Sequence, residues 1–149
     1  PLSAWRRTLL DWVRRPEPEA LLHSTIFFDL RGLHGEVSLV ASLQGEVLEA
    51  TRRDEVFLAH LAQTALEHEP PLGFFRGFVL EKGGEHEHTL DLKHRGVAPV
   101  VDLARVHALA AGAPQVNTRA RLEAAAAAGS LSEAGAAELR DTLEFIAYV

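Results

Sequence analysis

The chain has 149 residues, with 15 Lys plus Arg against 21 Asp plus Glu for a formal net charge of −6, and it contains neither cysteine nor methionine. The missing sulfur excludes zinc fingers, CxxC redox motifs, thiol nucleophiles and disulfide frameworks, and the acidic balance argues against nucleic-acid binding driven by bulk charge. No apolar run approaches the roughly 20 residues that cross a bilayer.

With 47% hydrophobic and 24% charged residues, the composition is that of a folded domain with one core. The first residue is Pro1 and no secretory leader pattern follows it. The expectation is therefore one domain, 1–149, excised from a larger cytoplasmic protein and having neither membrane nor nucleic acid as a partner.

Leu2, Trp5, Leu9, Trp12 and Val13 recur at helical spacing, which predicts an amphipathic helix over 2–14 with Arg6, Arg7 and Arg14 on its outer face. Pro16 and Pro18 end it. From Glu19 to Leu30 the dense apolar run predicts a short, mostly buried helix, with Gly32 and Gly35 as breakers. Val37, Val40, Leu43 and Val47 share one side of a helix over 36–50 despite Gly45 in its interior. Asp54 supplies an anion to the start of the next helix, whose stripe is Phe57, Leu58, Leu61, Ala62 and Ala65, and Pro70-Pro71 stops that segment.

Residues 73–96 break the helical period. The runs Phe78-Val79-Leu80 and Thr89-Leu90-Asp91-Leu92 flank Lys82-Gly83-Gly84-Glu85, the pattern of a small β-hairpin near residues 76–93. Residues 97–111 are apolar on nearly every side, which predicts a helix in the middle of a bundle. Gly112 and Pro114 close it, Asn117 or Thr118 caps an alanine-rich helix, Gly129 ends that one, and Ser130 or Ser132 starts a last helix still running at Val149. The fold class is all-α: a bundle of about six helices with one small hairpin.

Three polar constellations carry chemistry. Glu85, His86, His88 and His94 have the residue types of a metal set, but the HExxH spacing is absent and a solvated hairpin tip accounts for them, so no metal site is assigned. Asp91, Lys93, His94 and Arg95 precede Asp102 and Arg105 on the apolar helix, where the latter two are three apart and can pair; a pair in such a place serves either structure or binding. Asp29 and Arg31 end the IFFDLR run, and Phe74, Phe75 and Arg76 follow the Pro70-Pro71 stop. These groups suit stacking and bidentate phosphate recognition, or equally core plus surface arginine. There is no GxSxG elbow, no P-loop and no Asp-x-Asp pair to hold magnesium, so no catalytic residue is assigned.

The strings PEPEALLHSTIFFDLRGLHG (16–35), PPLGFFRGFVLE (70–81) and GEHEHTLDLKHRGVAPVVDLARVHALAAG (84–112) resemble the helical domain family called the putative nucleotidyltransferase substrate-binding domain. The resemblance runs from about Trp5 to the last helix. It implies the helical half that follows a nucleotidyltransferase domain in bacterial signal-transduction proteins that also carry CBS and cyclic-nucleotide-binding modules. Its layout is similar to the helical domain of protein-PII uridylyltransferase-like and kanamycin nucleotidyltransferase-like enzymes.

The resemblance carries over Asp29, Arg31, Phe74, Arg76, Asp91, Lys93, Arg95, Asp102 and Arg105 as candidate substrate contacts. It implies no cofactor in this domain, and Mg2+ with a nucleoside triphosphate in the missing transferase domain. The implied partners are the parent's own nucleotidyltransferase and sensor domains, a protein acceptor, and a second copy in a homodimer. The expected function is to position nucleotide or acceptor beside that catalytic domain; the rival expectation is a regulatory or dimerisation module that binds no small molecule.

Overall fold

The computed structural model describes residues 1–67, 80, 83–84 and 87–149. Among them it contains seven helices and no strand: α1 (Leu2–Arg14), α2 (Pro18–Phe27), α3 (Val37–Arg53), α4 (Glu55–Leu66), α5 (Ala98–Ala111), α6 (Thr118–Ala127) and α7 (Glu133–Tyr148). The all-α class stands, with seven helices where the periodicity suggested about six. None of the described helices is long and apolar enough to cross a membrane.

Local chemistry sets the helix ends. Asp54 breaks α3 from α4 by leaving helical geometry and accepting a hydrogen bond from the Phe57 amide at 2.9 Å. Of the alternative caps, Asn117 accepts from Ala120 and Ser132 accepts from Gly135. The α5 terminus folds back through Gly112 at φ +67°, where the Ala113 amide reaches the Ala108 carbonyl at 2.8 Å. An alanine there would be strained by its dihedral and would bring Cβ to 3.2 Å from Arg52 Cδ.

α5 runs through the middle, as its apolar surface predicts, packing on α3, α4, α6 and α7. One core cluster joins α1, α2, α3, α4 and α5 through Leu9, Val13, Leu21, Phe28, Leu43, Val47, Phe57, Leu61, Val106 and Leu109. A smaller one, Ala104, Leu122 and Ala136, seats α6 and α7 on the other side of α5. A two-pronged contact from Arg6 to Glu46, at 2.6 and 2.7 Å, ties α1 to α3 across the surface.

Two expectations are corrected. α2 is not mostly buried: Ala20, Leu21 and Ser24 face inward, while Leu22 and Ile26 are each 60% exposed, because only one side of this short surface helix meets the core. Much of the hairpin expected near residues 76–93 lies outside the described residues. Its second arm, Thr89–Leu92, is not a strand. Asp91 instead accepts from the His94 amide at 2.9 Å, an N-cap contact that starts a helical turn.

That turn, Lys93–Val97, is π-helical and runs directly into α5. Its wider winding has a local cause. Pro99 has no N–H to give the Arg95 carbonyl, and its ring would collide with that group in a regular α-helix. The Ala98 amide accordingly reaches back five residues, to the Lys93 carbonyl.

Candidate functional site

A buried network of two carboxylates and two arginines sits where the end of α2 meets α5 and α6. Arg105 donates through Nη1 to Asp102 Oδ1 at 2.6 Å and through Nη2 to Asp29 Oδ2 at 3.2 Å. Arg121, from α6, donates to both oxygens of Asp29, while its Nε donates to the Gln115 carbonyl at 2.8 Å. The arginine side chains are 9% and 5% exposed, against 30% for Asp29 and 24% for Asp102. Two cations opposite two anions leave the group formally neutral, which is what makes its burial tolerable.

Burial alone would push the Asp29 carboxyl up. The hydrogen bonds from Arg121 and Arg105, with their charges, outweigh that and hold Asp29 below the ordinary carboxylate value. Not every buried polar atom is satisfied: Arg105 Nε and Gln115 Oε1 are both buried without a hydrogen-bond partner among the described residues.

Above this network lies a cleft of about 500 Å³ between α2 and α4. α4 presents its apolar stripe, Phe57, Leu61 and Ala65, to the core. The adjoining stripe, His60, Gln63, Thr64 and Glu67, lines the cleft at one-turn spacing. Pro16, Pro18, Leu21, Leu22 and Thr25 form the opposite wall, and Asp102 stands at the floor. The described lining includes no lysine or arginine.

The sequence-predicted residues divide. Asp29, Asp102 and Arg105 come together, joining two of the three constellations. Arg31 lies exposed after α2, and Phe74 and Arg76 lie outside the described residues. Asp91, Lys93 and Arg95 gather at the π-helical turn, where Lys93 is exposed and Arg95 half-buried. The His94 amide, then the His94 ring and the Arg95 charge, hold the Asp91 carboxyl below its ordinary value against the desolvation that opposes them. Lys93 is twelve residues from Arg105, about 18 Å along a helix axis, so these cations and the network are separate places.

Glu85 and His86 also lie outside the described residues, and no three described His, Asp or Glu side chains converge as metal ligands. Sequence reasoning missed Arg121, Gln115 and the cleft stripe. Arg121 was signalled only faintly: with Leu122 and Ala125 it occupies the buried side of α6.

Against known families, residues 55–149 match the model described as putative nucleotidyltransferase substrate binding domain. The chain belongs to this family. The match takes in α4, the π-helical turn and α5 to α7, and so includes the polar stripe of α4, Asp102, Arg105 and Arg121. Asp29, Arg31 and the string 16–35 precede the matched span, so the family match begins later than the resemblance suggested. Among curated proteins and solved structures, nothing matches the chain. Within this substrate-binding family domain, the Asp–Arg network couples the matched helices to the α1–α2 segment ahead of them.

Proposed function

We propose that this domain positions nucleotide or acceptor for a bacterial signal-transduction nucleotidyltransferase, beside a catalytic domain outside this chain. The observation that carries the reading is the α2–α4 cleft over a locked, charge-balanced floor, with one wall and Asp102 of the floor supplied by the family-matched helices α4 and α5 and the other wall by residues 16–25 ahead of the match. A cleft of that size accommodates a small molecule. Its floor is cross-linked from three elements, so it is arranged before the ligand arrives.

In this reading Mg2+ and the nucleoside triphosphate belong to the transferase domain, and the whole protein is cytoplasmic. CBS and cyclic-nucleotide sensor domains act upstream. Lys93 and Arg95, on the π-helical turn, are the groups of this domain suited to triphosphate or an acidic acceptor.

Thermal unfolding with nucleoside triphosphates and small acceptors tests the proposal. A ligand present at a hundredfold excess over its Kd stabilises by about 2.7 kcal/mol, which for a chain of this length raises Tm by about 5–10 °C. Reversing both Lys93→Glu and Arg95→Glu is expected to abolish a shift produced by a triphosphate. A chain that no substrate stabilises would overturn the reading.

One observation favours a second reading, a regulatory or dimerisation module. An open, largely apolar groove of about 420 Å³ on α1 and α2 is lined by Trp5, Trp12, His23 and Phe27, and Trp5 is 49% exposed. Light scattering separates the two readings: a concentration-dependent dimer abolished by Trp5→Glu supports this one, and a strict monomer counts against it.

A further inference from the structure

The aromatic groove on α1 and α2 continues into a second depression of about 340 Å³. The two share Trp12 and His23, and the second adds Asp11, Arg15, Glu17 and Glu19. Along α1 the lining positions run from Ala4 and Trp5 through Thr8, Asp11 and Trp12 to Arg15. That is one face of the helix over about 16 Å, or three turns. α2 forms the other bank with His23 and Phe27.

The two ends of this groove differ in chemistry. One is floored by rings: Phe27 lies 5.8 Å from Trp5 and 5.6 Å from Trp12, and Trp12 lies 5.0 Å from His23. An apolar surface of this kind, open to solvent, is stabilised by being covered. At the other end three carboxylates stand against one guanidinium, and Arg15 is already bonded to Asp11 one turn back. Glu17 and Glu19 are exposed and belong to no ion pair among the described residues. Arg7 and Arg14 fall on another side of α1 and do not balance them.

We infer that this groove docks a basic amphipathic helix of a partner protein, with apolar side chains over Trp5, Trp12 and Phe27 and Lys or Arg beside Glu17 and Glu19. A furrow between two packed helices is the seat of a third. Its length and openness suit such a segment better than a small ligand, which a pocket encloses. The carboxylate end selects a cationic occupant and disfavours an acidic one. A second copy does not supply that chemistry from its exposed α7 end, where Phe145 and Tyr148 lie beside Asp141 and Glu144. Every lining residue precedes position 55, where the family match begins, so the match does not account for the groove. The inference rests on the regulatory reading, takes its regulatory arm rather than its dimerisation arm, and names the partner's chemistry.

The chain's only two tryptophans, Trp5 and Trp12, both line the groove, so intrinsic fluorescence reads its occupancy. The test titrates the full 149-residue chain with the acetylated, amidated peptide AQLAQLLAAKQAAK, whose leucines and lysines share one helical face and which has no tryptophan. Its acidic counterpart AQLAQLLAAEQAAE is the control, and light scattering is recorded on the same samples. A saturable blue shift with the basic peptide, about tenfold weaker affinity for the acidic one, and inversion of that preference in Glu17→Lys/Glu19→Lys establish the site. Both substituted positions are exposed, so the variant keeps the core. Equal binding of both peptides, unchanged by the double reversal, overturns the inference and leaves an apolar surface without charge selection. No response to the basic peptide at millimolar concentration also overturns it. If the chain is then a dimer that Trp5→Glu dissociates, the second reading stands through its dimerisation arm; if it is a strict monomer, both fall.

Discussion

Asp29→Asn is expected to destabilise the chain by about 3 kcal/mol, read as a lower urea midpoint at unchanged slope. The substitution keeps the shape of the side chain and removes the one charge that Arg105 and Arg121 share. Both arginines remain buried, at 9% and 5% exposure, and Asp102 alone is left to balance them. Removing one member of a buried ionic group costs more than the group contributes as a whole, because the uncompensated partner stays desolvated. Hence Asp29→Asn combined with Arg121→Met should recover much of the loss, and the coupling in that double-mutant cycle measures the network. Additive losses would mean that the two residues do not act on each other.

The same carboxyl makes stability depend on pH. Unfolded, Asp29 titrates near the ordinary aspartate value of about 3.9; folded, its hydrogen bonds to Arg121 and Arg105 hold it lower. The unfolded chain therefore binds the proton first as pH falls. The contribution of Asp29 is complete above that ordinary value and disappears as pH drops through the folded one. Asp29→Asn should flatten the acid limb of the stability curve by this amount and leave the neutral region parallel to wild type. An acid limb that stayed the same would assign it to other carboxylates.

How far this site can be read from the chain depends on separation along it. The Asp102–Arg105 pair is local, three residues apart on one helix, and its spacing alone predicts the 2.6 Å contact. Asp29 is 76 residues from Arg105 and 92 from Arg121. No periodicity connects such positions, so the reading set Asp29 beside its chain neighbour Arg31, which the fold leaves exposed.

Helices were legible because 3.6-residue spacing and capping residues are local signals: α1 begins and ends where its apolar stripe and Pro16 place it, and α5 stops at Gly112. The Thr89–Leu92 arm was misread for a related reason. Alternating Thr-Leu-Asp-Leu has strand period, but the Asp91 carboxylate bonds the amide three residues ahead, and that local contact decides for a helix start. The cleft stripe was hidden differently. His60, Gln63, Thr64 and Glu67 form an ordinary polar helix face, and only the packing of α2 opposite makes it the wall of a cavity.

The packing that creates the cleft can be broken from the core side. Phe57 is fully buried, and its ring lies 5.9 Å from that of Phe28, the residue just after α2 and just before Asp29. Phe57→Ala is expected to cost about 4 kcal/mol, since it removes a ring from a site without solvent and leaves a cavity between α4 and the end of α2. Phe57→Leu should cost less than about 1.5 kcal/mol. The position has a second consequence. Phe28 anchors the backbone that carries Asp29, so losing its partner frees the carboxylate from the geometry that two arginines require. Phe57→Ala should consequently weaken the acid dependence that Asp29 imposes, whereas Phe57→Leu should keep it. If Phe57→Ala lowers the urea midpoint but leaves the acid limb at full amplitude, the arginines hold Asp29 without help from the aromatic contact. Loss of both would show that core packing and the charged floor of the cleft are one mechanical unit.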